Sequence, residues 1–225
     1  MGEAGYGRGY PKSIWTLIII MTNKQKSGLV AGLIVLLLVI DQVIKFYIKL
    51  HFRLGECVEI FPWWQLCFVE NNGMAFGIEW FDKLFLTLFR IVAVGLLSWY
   101  LHDIIRRGFK MGYIAIVALI TAGALGNIID CLFYGMIFSP STPYEIATLV
   151  PWGEGYGQFF YGRVVDMLYF PLIHNAAGEV LFFRPVFNFA DSCITVAVIL
   201  ILLFYRNTLN ESLNKESIEK ETKEK

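Results

Sequence analysis

Residues 28–48 read GLVAGLIVLLLVIDQVIKFYI, an apolar run with an aspartate and a lysine towards its C-terminal end. A helix needs about 20 apolar residues to cross the roughly 30 Å hydrocarbon core of a bilayer, and this run has that length. Three similar runs follow, at residues 84–101, 112–130 and 186–205. The sequence therefore predicts an all-α membrane protein with four transmembrane helices.

The overall composition excludes several classes of protein. Only 17% of the 225 residues are charged, against about 25% in soluble domains, and 56% are hydrophobic. The 19 basic and 19 acidic residues balance, so nothing indicates a nucleic-acid partner. The four cysteines form no CxxC pair and the three histidines lie far apart, so we expect no metal site and no cofactor.

The basic residues indicate the orientation of the helices. They cluster before the first helix, between the second and third, and after the fourth: Lys24, Lys26, Arg106, Arg107, Lys110, Arg206 and Lys215. The positive-inside rule then places both termini in the cytoplasm. We expect a cytoplasmic N-terminal extension at residues 1–27, a membrane domain at 28–205, and a charged cytoplasmic tail at 206–225 that is a solvated helix end or disordered.

The first twenty residues are not expected to be a cleaved signal peptide. The apolar run Ile14–Ile20 is too short to span a membrane, and no small-residue cleavage site follows it. Met21 is a candidate for the natural start of the chain.

The two connections predicted to lie outside, residues 49–83 and 131–185, are rich in aromatic residues. In the first, β-branched residues and a turn signal at 71–73 predict short strands, and Trp63, Trp64 and Trp80 suit a membrane interface. The second is expected to fold over the outer surface. Cys57 and Cys67 are interpreted as free thiols, although an oxidising compartment would allow them to pair.

Polar residues within the apolar runs need an explanation, because a charged group at a helix centre costs about 2.5–3.5 kcal/mol on insertion scales. They are spaced three or four apart, so each pair shares a helix face. With the predicted orientation, all of them fall near the outer end of the helices, together with an aspartate of the second outer connection. These residues are Asp41 with Lys45, Asn127 with Asp130, Asn188 with Asp191, and Asp166.

Structural roles explain some of these residues. Asp41 and Lys45 would neutralise each other, Asn127 and Asp130 would join helices at a glycine-lined crossing, and Asn188 would cap the fourth helix. Asp191 is harder to explain in this way, since the next basic residue is Arg206.

Three functions fit such a protein: a peptidase, a proton pathway or small transporter, and a structural membrane protein. Two carboxyl groups in a partly dry site can share a proton and activate water against a peptide bond. A proton pathway would distribute its acids through the membrane depth. A thiol mechanism at Cys131 or Cys193 is disfavoured because no histidine is near either, and neither GxSxG nor HExxH occurs.

Five motifs, in order, resemble those of the bacterial lipoprotein signal peptidase (signal peptidase II) family of aspartyl peptidases. They are DQVIK at 41–45, NNGMAF at 71–76, GALGNIID at 123–130, VVD at 164–166 and FNFADS at 187–192. The resemblance covers most of the chain from about residue 28 to 205.

The resemblance implies an enzyme of the bacterial inner membrane, with an extracytoplasmic β-cradle and an active site near the outer face; separately, we expect a monomer. It implies cleavage of diacylglyceryl-modified prolipoproteins just before the lipidated cysteine, without a cofactor, in contact with membrane lipids. It places the catalytic pair at Asp166 and Asp191. The supporting and substrate-binding residues are expected to be Asp41, Lys45, Asn71, Gly73, Gly126, Asn127, Asp130, Arg163, Asn188 and Ala190.

The chain departs from the family pattern in three places. Cys131 stands where the family has an arginine after the third-helix aspartate, and Arg163 is our candidate for a replacement charge partner of Asp130. Ala122 replaces a glycine. The gaps from Asp130 to Asp166 and from Asp166 to Asp191 are wider than the family pattern, and the inserted aromatic segments are interpreted as either a lid or a lipid contact.

Overall fold

Four long helices make up most of the computed structural model, which describes residues 21–71, 83–174, 180–182 and 185–223. Their bounds are α1 Asn23–His51, α2 Lys83–Arg106, α3 Met111–Ile129 and α4 Phe189–Leu200. Helix α3 continues as a π-helical segment, Asp130–Tyr134, and a final turn, Gly135–Ile137. Helix α4 continues through a π-helical segment, Ile201–Tyr205, into α5, Arg206–Lys223.

All four helices are long and apolar enough to cross a bilayer. The candidate spans have mean hydropathies of 2.4, 1.9, 2.0 and 1.9, in the order Asn23–His51, Lys83–Arg106, Met111–Ile137 and Phe189–Asn214. The prediction of a four-helix, multi-pass membrane protein is confirmed.

The helices extend beyond the predicted apolar runs because polar residues cap and lengthen them. At the start of α1, the Thr22 side chain accepts a hydrogen bond from the Gln25 backbone, and the Gln25 side chain accepts one from Thr22. This capping box adds a polar first turn before the apolar run. In the tail, Ser212 is buried, and its backbone carbonyl accepts a hydrogen bond of 2.9 Å from Arg107, the residue after α2. This part of the tail is helical and contacts the bundle through Ser212, while its neighbours Glu211 and Leu213 are exposed.

Helix α3 lies at the centre of the bundle. In the apolar stretch of its span, 61% of the residues are buried by the rest of the protein, whereas in the other three spans the share is 17–22%. Large apolar side chains remain exposed on the outer helices, such as Val43, Phe89 and Phe204. Because lipid is as apolar as these side chains, such a surface is expected of a membrane bundle.

A three-stranded antiparallel sheet lies at one end of the bundle, where α1 and α3 finish and α2 and α4 begin; we call this the sheet end. Its strands β1 Cys57–Phe61, β2 Trp64–Asn71 and β3 Val164–Tyr169 are arranged in the order β1-β2-β3. The register pairs Val69 with Asp166 and Asn71 with Val164. A short hairpin, β4 Ile173–His174 with β5 Val180–Phe182, follows. The prediction of short strands in the first connection is confirmed.

Cys57 and Cys67 are joined by a disulfide bond, so the interpretation of two free thiols was wrong. The physical reason is the strand register, which places the two residues directly opposite each other in the β1–β2 pair. Cys131 and Cys193 are free and buried. Residues 1–20, Gly73 and Trp80 lie outside the described residues, so the expectations for them stay predictions.

Small residues on α3 let α4 approach closely. A Cβ atom on Gly123 would clash with the Ala190 carbonyl oxygen and lie 2.8 Å from Cγ1 of Ile194. Backbone cannot move aside as a flexible side chain can, so this crossing depends on the missing methyl group.

We expect Gly123→Ala to lower the free energy of unfolding by about 1–3 kcal/mol, since it forces α4 away from α3. Gly95→Ala on α2 is the matched control, because nothing lies within 4 Å of its added Cβ. Thermal unfolding in detergent measures both. Equal midpoints for the two variants would contradict the close packing of α3 on α4.

Candidate active site

A buried lysine lies at the centre of the polar groups inside the bundle. Lys45 has no exposed surface. Its ammonium contacts Oδ2 of Asp41 at 3.0 Å and Oδ2 of Asp130 at 2.9 Å, and it donates a hydrogen bond of 2.9 Å to Oδ1 of Asn127. The i,i+4 spacing of Asp41 and Lys45 on α1 places both on the face that meets α3. An ammonium removed from water needs such partners, because an uncompensated buried charge is strongly destabilising.

The two carboxylates beside Lys45 each fix a further element. Oδ1 of Asp41 accepts a hydrogen bond of 3.1 Å from the backbone of Ala190, in the first turn of α4. Oδ2 of Asp130 accepts one of 3.2 Å from the backbone of Val165 in β3. The cluster therefore joins four elements: α1, α3, α4 and β3.

Gly126 explains how Asp41 reaches α4. A Cβ atom at this position would lie 2.5 Å from Oδ2 of Asp41 and 3.3 Å from the Ala190 side chain. Only glycine leaves room for the Asp41 carboxylate between α3 and α4. The role of Gly126 in the cluster is therefore steric.

Asn188 caps α4, as the sequence predicts. Its side-chain oxygen accepts a hydrogen bond of 2.9 Å from the Asp191 backbone, and Oδ2 of Asp191 accepts one of 3.3 Å from the Asn188 backbone. The cap residue also reaches β3, since its side-chain NH₂ donates to Oδ1 of Asp166 at 2.7 Å and to Oδ1 of Asn127 at 3.1 Å. Asn188 is thus hydrogen-bonded to both Asp166 and Asp191.

Two further asparagines complete the partners of these aspartates. Asn127 donates to Oδ1 of Asp191 at 2.8 Å, and Asn71, the last residue of β2, donates to Oδ2 of Asp166 at 3.2 Å. Asp166 is 3% exposed, whereas Asp191 is half-buried. One carboxyl group is therefore enclosed and its neighbour is open to the surface.

The surroundings of Asp166 favour its neutral form. Burial, followed by the nearby negative charge of Asp191, raises the pKa of Asp166 to about 7. Hydrogen bonds from Asn188 and Asn71 and the charge of Lys45 oppose this rise without cancelling it. A carboxyl group with this pKa can donate a proton near neutral pH.

Arg163 does not contact Asp130, so its predicted role is wrong. Asp130 is instead paired with Lys45 and accepts a hydrogen bond of 3.0 Å from the Gln42 side chain. Arg163 pairs with Oε2 of Glu70 at 2.9 Å. Arg163 directly precedes β3 and Glu70 lies in β2, so the pairing of these two strands brings the two residues together.

Glu70 forms a second polar cluster beside the first. Besides Arg163, it contacts the buried ammonium of Lys49, and its Oε1 accepts a hydrogen bond of 2.9 Å from Ser141. Burial on its own would raise the pKa of Glu70, but the charge of Lys49 and the hydrogen bonds from its partners outweigh burial and hold the pKa below its usual value. This cluster joins α1 and the connection between α3 and β3 to strand β2, next to Asn71.

Cys131 has an arginine beside it from another helix. Nη1 of Arg90 on α2 lies 3.3 Å from the Cys131 sulfur, to which it donates a hydrogen bond. A guanidinium group from α2 therefore lies beside residue 131, although residue 131 itself is a cysteine and not the arginine of the family pattern.

Sequence reasoning missed several members of the two clusters. Gln42 lies inside a motif but was not singled out; it also accepts a hydrogen bond of 3.0 Å from Tyr134. Lys49 follows Lys45 by four residues, so the helical spacing placed it on the same face, and this signal was overlooked. Nothing in the sequence pairs Glu70 with Lys49, because that contact depends on how the sheet lies on α1.

An apolar cavity of about 440 Å³ opens beside Asp191. It lies between the end of β3 and the first turns of α4. Its lining residues are Leu168, Phe170, Pro185, Phe187, Asp191, Ser192, Thr195 and Val196. Phe170 and Phe187 stack with ring centroids 5.7 Å apart. The half-buried carboxyl group therefore borders a space suited to an apolar ligand.

The chain is similar to known proteins along most of its length. Residues 33–206 match the model of the family described as Signal peptidase (SPase) II. The lipoprotein signal peptidase of Porphyromonas gingivalis (strain ATCC 33277) is 49% identical over 200 residues, which cover 84% of this chain and 88% of that protein. The lipoprotein signal peptidase of Amoebophilus asiaticus (strain 5a2) is 33% identical, covering 82% of this chain and 80% of that protein.

Two solved structures share the fold. Both are described as bacterial membrane enzymes obtained by the in meso method, at 1.9 Å and 2.3 Å resolution. The first superposes with a TM-score of 0.54 at 24% identity and covers 78% of this chain and 91% of its own. The second has a TM-score of 0.53 at 25% identity and covers 81% of this chain and 91% of its own. The family match and the two lipoprotein signal peptidases show that the chain belongs to the signal peptidase II family and is a peptidase, and its fold is that of membrane enzymes.

Proposed function

We propose that this protein is an aspartyl endopeptidase that removes the signal peptide from diacylglyceryl-modified prolipoproteins by cutting before the lipidated cysteine. The observation that carries the proposal is the pair of carboxyl groups joined through Asn188. Its amide donates to Asp166 at 2.7 Å, and its backbone donates to Asp191 at 3.3 Å. The family and the named relatives support the substrate class.

The different burial of the two aspartates suggests their roles. Asp166 is enclosed, and its pKa is raised to about 7, so it is the member that carries the shared proton. Asp191 borders the cavity and takes a proton from the attacking water. Asp166 then donates its proton to the carbonyl oxygen of the scissile bond. When the tetrahedral intermediate collapses, the proton taken by Asp191 passes to the leaving amine, and neither step needs a cofactor.

The remaining site residues hold this pair in place. Asn127, Asn188 and Asn71 donate hydrogen bonds to the two carboxyl groups. Behind them, the Lys45 cluster with Asp41 and Asp130 fixes α4 and β3 relative to each other. Gly126 and Ala190 belong to this support through the close contact at Asp41. Gly73 remains a predicted substrate-binding residue.

The cavity beside Asp191 receives an apolar part of the lipid-modified substrate. Its lining is almost entirely apolar apart from Asp191, Ser192 and Thr195, and it opens at the end of membrane-spanning helix α4. A lipidated cysteine could remain in the bilayer there while the preceding peptide bond meets water at the carboxyl pair.

The same arrangement supports a location in the bacterial inner membrane with the sheet end outside. The basic residues favour cytoplasmic termini. The disulfide between Cys57 and Cys67 lies at the sheet end and is typical of an oxidising compartment. We propose a monomer in contact with membrane lipids and without a nucleic-acid partner.

The first prediction concerns the carboxyl pair. Asp166→Asn and Asp191→Asn are each expected to lower kcat at least about 100-fold, since each removes a proton-transfer group. The assay follows cleavage of a diacylglyceryl-modified prolipoprotein by purified enzyme in detergent, with the cut site read by mass spectrometry. Asp103→Asn is the control, because Asp103 pairs with Arg107 at the other end of the bundle. Cleavage by both site variants at the parent rate would place the chemistry elsewhere.

The second prediction concerns pH and stability. The pKa of Asp166 rises on folding from an ordinary 3.8 to about 7, so between these values the folded chain holds a proton that the unfolded chain has lost. Stability therefore falls as pH rises through this window and levels off above it. Asp166→Asn, which cannot ionise, is expected to be more stable than the parent by a few kcal/mol at pH 8, at about 1.4 kcal/mol per pKa unit.

The measurement is the difference in thermal midpoint between Asp166→Asn and the parent from pH 4 to pH 8. The difference should grow up to about pH 7 and then stay constant. A difference independent of pH would contradict the raised pKa of Asp166.

The third prediction concerns the cavity. Val196→Trp is expected to raise KM for the lipid-modified substrate about tenfold, because the indole fills the space that the apolar part occupies. Val198→Trp is the matched control: Val198 is similarly exposed on α4, at 42% against 48%, but does not line the cavity. Steady-state cleavage rates give both constants, and equal KM values for the two variants would show that the substrate does not enter this cavity.

A further inference from the structure

The segment between α3 and β3 returns along the side of α3 instead of arching away from the bundle. The backbone of Gly153 donates to the Met136 carbonyl at 3.1 Å, that of Gly157 to the Gly135 carbonyl at 2.8 Å, and that of Gly162 to the Cys131 carbonyl at 2.9 Å. Successive residues of the segment thus contact successively deeper positions of the membrane-spanning helix.

Glycines make this close approach possible. A Cβ atom on Gly155 would clash with the Gly135 carbonyl, and one on Gly162 would clash with the Asp130 carbonyl. With no Cβ at these positions, the segment lies directly on the backbone of the helix.

The depth of the segment follows from helix geometry. Cys131 lies six residues before the end of the α3 span at Ile137, which is roughly 9 Å along the axis at 1.5 Å per residue. On the neighbouring helix, the Thr87 hydroxyl donates to the Phe160 carbonyl at 3.2 Å. Thr87 lies four residues inside α2, or roughly 6 Å from its start. The lowest part of the segment is therefore below the ends of two membrane-spanning helices.

Non-helical backbone at this depth is tolerated only where it is held by protein. The hydrogen bonds to α2 and α3 meet that requirement. They also hold Phe160 at a φ of 74°, a conformation that bulky residues rarely adopt, at the point where the chain turns back.

Aromatic side chains cover the outside of this segment. The ring of Phe133, on the π-helical part of α3, lies 6.1 Å from that of Trp152 and 5.7 Å from that of Phe159. Trp152 is 65% exposed and Phe159 is 40% exposed. We call these three residues the aromatic flank. The segment also contacts α2 through Thr87, and the exposed side chains of that helix include Phe89, at 64%.

We propose that the aromatic flank is a membrane-contact surface, with residues 152–161 embedded in the leaflet at the sheet end and Trp152 and Phe159 touching lipid. We assign lipid to this surface because the segment is hydrogen-bonded to two membrane-spanning helices, lies below their ends, and carries exposed aromatic side chains. Aromatic rings are also favoured at the membrane–water interface.

The position of the segment argues against a lid. The cavity beside Asp191 lies between β3 and α4, whereas the segment contacts α2 and α3. The segment anchors the sheet end to the bilayer on the flank away from the cavity.

Site-directed spin labelling in lipid nanodiscs tests the proposal. Labels at Trp152→Cys and Phe159→Cys are compared with one at Tyr144→Cys, which is the matched control because Tyr144 is an exposed aromatic residue of the same connection, at 86%. The unsubstituted chain measures any labelling of its buried free cysteines. Power saturation compares accessibility to oxygen, which partitions into lipid, with accessibility to a water-soluble nickel chelate.

Labels at residues 152 and 159 are expected to be several-fold more accessible to oxygen than to the nickel chelate. The label at residue 144 is expected to be more accessible to the nickel chelate than to oxygen. Equal nickel access at 152 and 144 would place the flank in water. Low access to both reagents at 152 and 159 would mean that protein covers the flank. Either result overturns the proposal.

Quenching of tryptophan fluorescence by brominated lipids gives a second readout on the unlabelled protein. The parent is expected to be quenched more than Trp152→Phe, which keeps an aromatic ring and therefore the packing on Phe133. Identical quenching of the two proteins would also overturn the proposal.

Discussion

The buried ammonium of Lys45 is the constraint on which the rest of this site depends. A cation without exposed surface is stable only among anionic and polar partners. The partners of Lys45 lie on the faces of α1 and α3 that meet each other. Asp41 is one turn away on α1, while Asn127 and Asp130 are one turn apart on α3. Oδ1 of Asp41 and Oδ2 of Asp130 also accept hydrogen bonds from backbone amides, of α4 and β3 respectively. Charge balance around one lysine thereby sets the relative positions of four elements.

Asn188 links this scaffold to the two aspartates. A cap residue ordinarily satisfies one free amide at the start of its helix. Here its carbonyl oxygen caps α4, and its NH₂ group binds Asp166 and Asn127. The Asn188 side chain therefore binds both the start of α4 and strand β3. A displacement of either element would separate Asp166 from Asp191. The same residues give stability to the bundle and geometry to the site.

The sequence predicted features that depend on local spacing and missed those that depend on tertiary contact. The Asp41–Lys45 pair, the shared face of Asn127 and Asp130, and the Asn188 cap are read from intervals of three and four residues. The partner of Arg163 and the disulfide between Cys57 and Cys67 depend on strand register, which no interval reveals. The ends of α3 and α4 were placed too early, because a π-helical segment and a final turn carry α3 to Ile137 and the polar helix α5 continues α4 to Lys223.

The hydrogen bond between Asp41 and Ala190 joins residues 149 positions apart. A ribosome must therefore complete almost the whole membrane domain before the first helix meets its partner on the last. Chains released early, even with three helices inserted, lack Asp191 and the Ala190 amide that donates a hydrogen bond to Asp41. Under the proposed mechanism, the chain therefore has no peptidase activity during its own synthesis and gains it only when α4 packs into the bundle.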